Sequence, residues 1–209
     1  MMIIVVTGGI GSGKSEVCRI LGKYGLRVQY NADLRVKELY DDCPELLTSI
    51  EKQLGVSLRD DNGTFLRCKL AEIIFADSRA MDIVESLVFP ALMADFESFV
   101  RADQNHSHVV FESATVLEKP YFDGFGDMVI LVDAPLSMRI HRACMRDNVS
   151  RESVLMRVSN QPLMNAVSEG YEDSRVDYVI ENDGSYESLE TKILKILTDN
   201  KLYNENRFD

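Results

Sequence analysis

The feature that most constrains this chain is its opening, where an apolar run from Met2 to Val6 leads through Thr7 into Gly8-Gly9-Ile10-Gly11-Ser12-Gly13-Lys14-Ser15 and a helical pattern follows at once. Gly8, Gly13, Lys14 and Ser15 satisfy the spacing G-x-x-x-x-G-K-[ST]. Glycines at these places let the backbone curl until successive N–H groups face a phosphate oxygen, and the helix that starts there adds the positive end of its dipole. The expected cradle is Gly11, Ser12, Gly13, Lys14, Ser15 and Glu16. Lys14 would reach the β- and γ-phosphates of a nucleoside triphosphate, and the Ser15 hydroxyl would ligate Mg²⁺.

The rest of the chain bounds what such a loop can serve. With 209 residues, 45 % of them hydrophobic, there is enough material for one α/β domain with insertions. The net charge of −11 argues against nucleic acid or an anionic membrane as the main partner. Cys18, Cys43, Cys68 and Cys144 are far apart and none forms a C-x-x-C pair, so they read as reduced thiols rather than zinc ligands. His106 and His108 read as a polar turn. The run MMIIVV lacks a basic leader and is too short for a signal peptide, and no 18-residue apolar run offers a membrane span. A cytoplasmic protein is expected.

Strand-like and helix-like segments alternate. Leu26–Tyr30, Val109–Phe111, a run within Asp127–Asp133 and Asp177–Glu181 follow the first strand. The fold expected is α/β, a five-stranded parallel sheet with helices on both faces, of the phosphate-loop kinase type. About 75 residues separate the second strand from the third, far more than a crossover needs. Their helical spacing suggests an insertion over 33–106, with Ser78 as a cap and the helix after it running past Pro90. The core then comprises 1–32, 107–140 and 162–209, all one domain of residues 1–209. A helix from Ser137 to Met145 and a second from Ser150 to Gln161 frame a lid over 141–161, and the tail from Thr198 reads as loose.

Other nucleotide folds fit less well. A guanine-reading N-K-x-D is missing, since Asn200-Lys201-Leu202-Tyr203 lacks the aspartate. A G-x-G-x-x-G dinucleotide fingerprint fails because Lys14 stands in the third glycine's place. A small-molecule kinase suits the size, the insertion and the basic segment, where Arg142 and Arg146 share a helix face and could close over phosphates. The bland alternative is a solvated face paired with Asp147 and Glu152.

At this point the sequence resembles the dephospho-coenzyme A kinase family. The resemblance rests on Ile3 to Val17, Asn31-Ala32-Asp33, Asn62 to Arg67 with Leu70 and Ile74-Phe75, His141-Arg142 to Asp147, Ser150-Arg151-Glu152, Gln161, and Asp177 to Gly184. It implies ATP with Mg²⁺ as phosphate donor and the ribose 3′-hydroxyl of dephospho-coenzyme A as acceptor. It also implies a substrate-binding role for the insertion. By that resemblance Asp33 orients or deprotonates the hydroxyl, Arg142 and Arg146 neutralise transferring charge, and Glu112 supports metal or substrate. Arg67 either contacts the substrate's phosphates or anchors the insertion, and Asp33 could instead be a helix N-cap. Three departures stand out: Asn31 where the family has an aspartate, Phe89 before Pro90 where it commonly has histidine, and Glu112-Ser113-Ala114 where an aspartate and a proline are usual. A kinase of another small metabolite, or a regulator that binds ATP without transferring it, are the competing readings. A monomer or weak homo-oligomer is expected.

Overall fold

The structure is a computed structural model that describes residues 1–103 and 105–203. β1 (Met2–Thr7), β2 (Gln29–Asn31), β3 (His108–Glu112), β4 (Met128–Asp133) and β5 (Tyr178–Glu181) form one sheet in the order β2-β3-β1-β4-β5. Every pairing is parallel. The runs Ile4-Val5-Val6 of β1 and Val129-Ile130-Leu131-Val132 of β4 are buried throughout, as strands covered on both faces must be. The edge strand β5 alternates, with Ile180 buried and Val179 exposed. From β1 the chain crosses one way to β2 and β3 and the other way to β4 and β5, so the switch point lies at the carboxyl end of β1.

The chain divides into two compact units, Met1–Asn31 with Asn105–Asp209, and Ala32–Gln104. In the first, α1 (Lys14–Lys23) and α9 (Tyr186–Asp199) pack on one sheet face. Val17, Ile20 and Leu21 with Leu189, Ile193 and Leu197 meet Ile4, Val6, Ile130, Val132 and Ile180. On β3 the Phe111 ring stacks on Tyr30 at 5.6 Å and meets Phe125 edge-on at 4.7 Å. A separate cluster joins α6 (Leu136–Asp147) to α7 (Arg151–Ser159) through Ile140, Ala143, Val154 and Val158, with Ile10 of the glycine loop among them. The second unit holds α2 (Ala32–Asp42), α3 (Pro44–Leu54), α4 (Arg67–Ala76) and α5 (Ser78–Ala102). Arg35 ties it together by pairing with Asp95, Glu38 and Asp42.

Four local expectations are corrected. β2 begins at Gln29 rather than Leu26, because the Leu26 N–H is spent on Leu21 O in closing α1. Asp77, not Ser78, caps α5, its carboxylate accepting from the Arg79 N–H at 2.9 Å. The helix read to Gln161 stops at Ser159, and α8 (Pro162–Ser168) starts afresh with proline at its first position and the Glu118 carboxylate accepting from the N–H groups of Leu163 and Met164. The start of the tail is packed rather than loose: α9 extends to Asp199, Leu202 packs on the sheet cluster, and Tyr203 meets Tyr24 edge-on at 5.2 Å. The remainder of that tail, 204–209, lies outside the described residues.

Candidate phosphate-transfer site

β1 delivers the glycine loop to the carboxyl edge of the sheet, and α1 begins directly beyond it. Within the loop the Ser12 N–H bonds Gly9 O at 3.1 Å, while the N–H groups of Glu16 and Val17 both bond Gly13 O. Gly11 (φ 74°) and Gly13 (φ 102°) take left-handed backbone that a side chain would strain. A Cβ at Gly13 would also overlap the Asn182 amide, and one at Gly11 the Arg139 carbonyl. Lys14 is almost fully buried and folds back over the loop, donating to Gly8 O at 3.0 Å and Gly9 O at 3.4 Å.

On the β3 side the Ser15 hydroxyl donates to Glu112 Oε1 at 2.7 Å, and the Asn31 amide donates to Glu112 Oε2 at 2.9 Å. Register explains the meeting: Val6 pairs with Glu112 and Asn31 pairs with Glu112, so three strands deliver their ends to one spot. Because Asn31 is an amide, it can donate to the carboxylate, where a second carboxylate would repel it. Cys18 lies below, its thiol pushed up by burial first and by the neighbouring Glu112 second. A hydroxyl and a carboxylate side by side are hard oxygen donors of the kind Mg²⁺ takes, so these residues fit the ion.

The opposite wall comes from α6 and the turn after β5. Asn182 donates through Nδ2 to Ser12 O at 2.8 Å, and the Arg142 guanidinium reaches Asn182 O at 3.1 Å and Ser12 O at 3.5 Å. Ile10 is held from both ends, its N–H by Gln161 Oε1 at 2.9 Å and its carbonyl by Arg139 Nε at 3.2 Å. Among the described residues, three buried side-chain polar atoms have no partner: Thr7 Oγ1, Ser12 Oγ and Arg139 Nη2. Thr7 ends β1 just before the loop, Ser12 lies in the loop, and Arg139 belongs to the wall against it. Beside Arg139, at the carboxyl ends of β4 and β5, opens a cavity of about 540 Å³.

The structure thus brings Gly11, Ser12, Gly13, Lys14, Ser15, Glu112 and Arg142 together. The Glu16 backbone joins the loop, while its side chain turns to Arg19. Arg146 is turned onto Asp147, which also pairs with Arg157; the two guanidinium groups hold that carboxyl well below the usual range. Asp33 and Arg67 belong to the helical unit. Asp33 sits within the first turn of α2, which starts at Ala32, so it is not the cap residue itself. Arg67 bonds Lys37 O and Asp41, linking α4 to α2 as an anchor would. Sequence reasoning did not assign Arg139, Asn182 or Gln161 to the site. A signal existed for Arg139, which falls four residues before buried Ala143 and beside buried Ile140, a cation on an apolar helix stripe.

Comparison with known proteins bears directly on this arrangement. A family model described as dephospho-CoA kinase matches residues 2–188. A dephospho-CoA kinase of Salinibacter ruber is 34 % identical over 194 residues, covering 92 % of this chain and 94 % of the relative. One of Porphyromonas gingivalis is 37 % identical over 161 residues, covering 77 % of this chain and 78 % of the relative. A crystal structure from Thermus thermophilus superposes with a TM-score of 0.78 at 28 % identity, covering 95 % of this chain and 97 % of that one. With the phosphate loop, the parallel sheet and matches that run almost end to end, the chain belongs to the dephospho-CoA kinase family, enzymes that use ATP with Mg²⁺ to phosphorylate dephospho-coenzyme A in coenzyme A biosynthesis.

Proposed function

We propose that the loop residues, Glu112 and Arg142 hold ATP while Asp33 serves the acceptor, so that the γ-phosphoryl passes to the ribose 3′-hydroxyl of dephospho-coenzyme A. The observation that carries this reading is the meeting of Ser15, Glu112 and Lys14 around one loop, fed by three parallel strands.

Phosphoryl transfer asks for positioning and charge neutralisation more than covalent chemistry. The N–H groups of Gly11, Gly13, Lys14 and Ser15 orient the phosphates, those of Ser12 and Glu16 being bonded within the loop. Lys14 exchanges its two carbonyl partners for phosphate oxygens and spreads their charge. Ser15 and Glu112 would hold Mg²⁺, which when bound neutralises charge building on the phosphates. Asn31 keeps Glu112 in place by its amide bond. Arg142, already against Ser12 and Asn182, stands at the phosphate wall, and Arg146 reaches the same charge by exchanging Asp147 for phosphate. Asp33 would orient or accept the 3′-hydroxyl proton. We assign the helical unit to substrate binding, with Arg67 as its internal anchor, and segment 141–161 to a lid. No helix among the described residues is long and apolar enough to cross a membrane. We assign the chain as a cytoplasmic monomer or weak homo-oligomer, and its net charge of −11 disfavours nucleic acid as a partner.

The test is coupled ADP release with Mg-ATP, comparing dephospho-coenzyme A with adenosine, AMP and gluconate. ADP release with dephospho-coenzyme A alone, and coenzyme A as product, is expected. Turnover on another acceptor, or ATP binding without turnover, would refute the assignment. Lys14→Ala should abolish transfer; near-normal turnover in that variant would sink the role given to the lysine.

A further inference from the structure

Arg139 is the unexplained charge in this molecule. It is completely buried, and among the buried side chains of the described residues the other cation is Lys14. Its guanidinium carries five N–H groups but bonds little. Nε reaches Ile10 O at 3.2 Å and Nη1 reaches Ser168 Oγ at 3.3 Å, while Nη2 has no partner. The nearest carboxylate, Asp133, is 4.0 Å from Nη1 and itself accepts from Ser168 Oγ at 2.8 Å. Burial lowers the guanidinium's proton affinity, yet an arginine stays charged at neutral pH.

For the fold alone this is an unfavourable choice. A buried ion with one distant counter-charge and an unmade N–H destabilises, and an apolar side chain of similar volume in its place is often neutral or stabilising. The neighbours Ile140 and Ala143 form just such an apolar stripe. The compensation lies on the other side of the guanidinium. Gly9 has no side chain, and a Cβ there would fall on Nη2. Lys14 bonds the carbonyl of the same Gly9. Two buried cations therefore flank one glycine of the phosphate loop, an arrangement that raises the positive potential where a polyanion would bind.

We propose that Arg139 is a positioning residue for nucleotide binding. Its buried guanidinium fixes Ile10 and Gly9 from behind and supplies standing positive charge to the site that takes the triphosphate. Asp133 attenuates that charge. The proposal rests on the assignment of the loop as the ATP site and predicts which residue outside it sets the affinity.

The experiment measures ATP binding by titration calorimetry and stability by urea unfolding on the full chain, for wild type, Arg139→Met, Arg139→Lys and Asp133→Asn, with KM and kcat alongside. Arg139→Met is expected to weaken ATP about tenfold, with stability equal to wild type or higher, and to raise KM for ATP much more than it lowers kcat. Arg139→Lys should recover most of the affinity by keeping the charge. Asp133→Asn should tighten ATP several-fold by unmasking the guanidinium; it answers the question even if the Met variant fails to fold. Unchanged ATP affinity in Arg139→Met, a Lys variant no better than Met, or an Asp133→Asn variant that does not tighten would each overturn the proposal. A wild-type chain that bound no ATP would instead overturn the functional assignment and this proposal with it.

Discussion

Gly9→Ala tests whether the phosphate loop is shaped from below. Unlike Gly11 and Gly13, Gly9 has no left-handed φ, so an alanine meets no backbone penalty there. What it meets is Arg139: the new Cβ would overlap Nη2 and Cζ and lie 2.9 Å from Nε. A long side chain at the surface would swing aside. This one is enclosed, and moving it breaks the 3.2 Å bond to Ile10 O and the 3.3 Å bond to Ser168. Overpacking a close-fitted interior costs about 1–3 kcal/mol, and an unmade hydrogen bond to a charged donor about 1.5–3 kcal/mol. Relaxation takes the cheaper mixture of the two, giving a net loss of about 3 kcal/mol. For a chain of this size that lowers the melting midpoint by roughly 6–12 °C. In an Arg139→Met background the flexible thioether yields, and the same Gly9→Ala change should cost only about 1 kcal/mol, a coupling of about 2 kcal/mol in the double-mutant cycle. Thermal and urea unfolding of the four proteins measure it. Equal cost of Gly9→Ala in both backgrounds would refute the reasoning, because the penalty would then not pass through Arg139.

Other perturbations separate the remaining roles. Asp33→Asn should lower kcat strongly while ATP affinity holds, read by steady-state kinetics and nucleotide titration; an unchanged kcat would leave Asp33 a helix-dipole partner only. Asn182→Ala removes the 2.8 Å bond to Ser12 O and should raise KM for ATP several-fold with a stability loss of about 1–2 kcal/mol, and an unaltered KM would take Asn182 out of the loop's support. Asp147, whose carboxyl is held low chiefly by Arg146 and then by Arg157, supports the α6–α7 junction above its unfolded pKa of about 4 and loses that support as pH falls further. Asp147→Asn should therefore cost about 0.5 kcal/mol at pH 7, with the difference from wild type shrinking below about pH 4; a difference that grew in acid would reverse the assignment.

Much of the architecture was legible because its signals are local. Apolar runs of five or six residues cannot be solvated, so β1 and β4 read as buried strands. The helical spacing of 33–102 reads as helices, and proline at 44 and glycine at 55 bound one of them. The misreadings arose where a backbone group had a partner that spacing does not show. The Leu26 N–H goes to α1 rather than to the sheet, and the Glu118 carboxylate starts a helix forty-odd residues further along the chain. Tyr203 looked like tail because its partner, Tyr24, is distant in sequence.

The same division runs through the site. The glycine spacing, Lys14 and Ser15 pointed by themselves to a phosphate site, because the chemistry resides in consecutive residues whose backbone must curl in one way. That Glu112 would be the carboxylate meeting Ser15, and that Asn31 would grip it rather than repel it, followed only from the parallel register of β1, β2 and β3. Arg67 carried two readings in sequence, and its bonds to Lys37 and Asp41 came only with the packing of α4 on α2. Arg139 is the clearest case. Sequence shows a cation on an apolar stripe, but that it lies beneath Gly9 with an unpaired N–H depends on contacts about 130 residues apart, and long-range packing is the one thing that periodicity cannot encode.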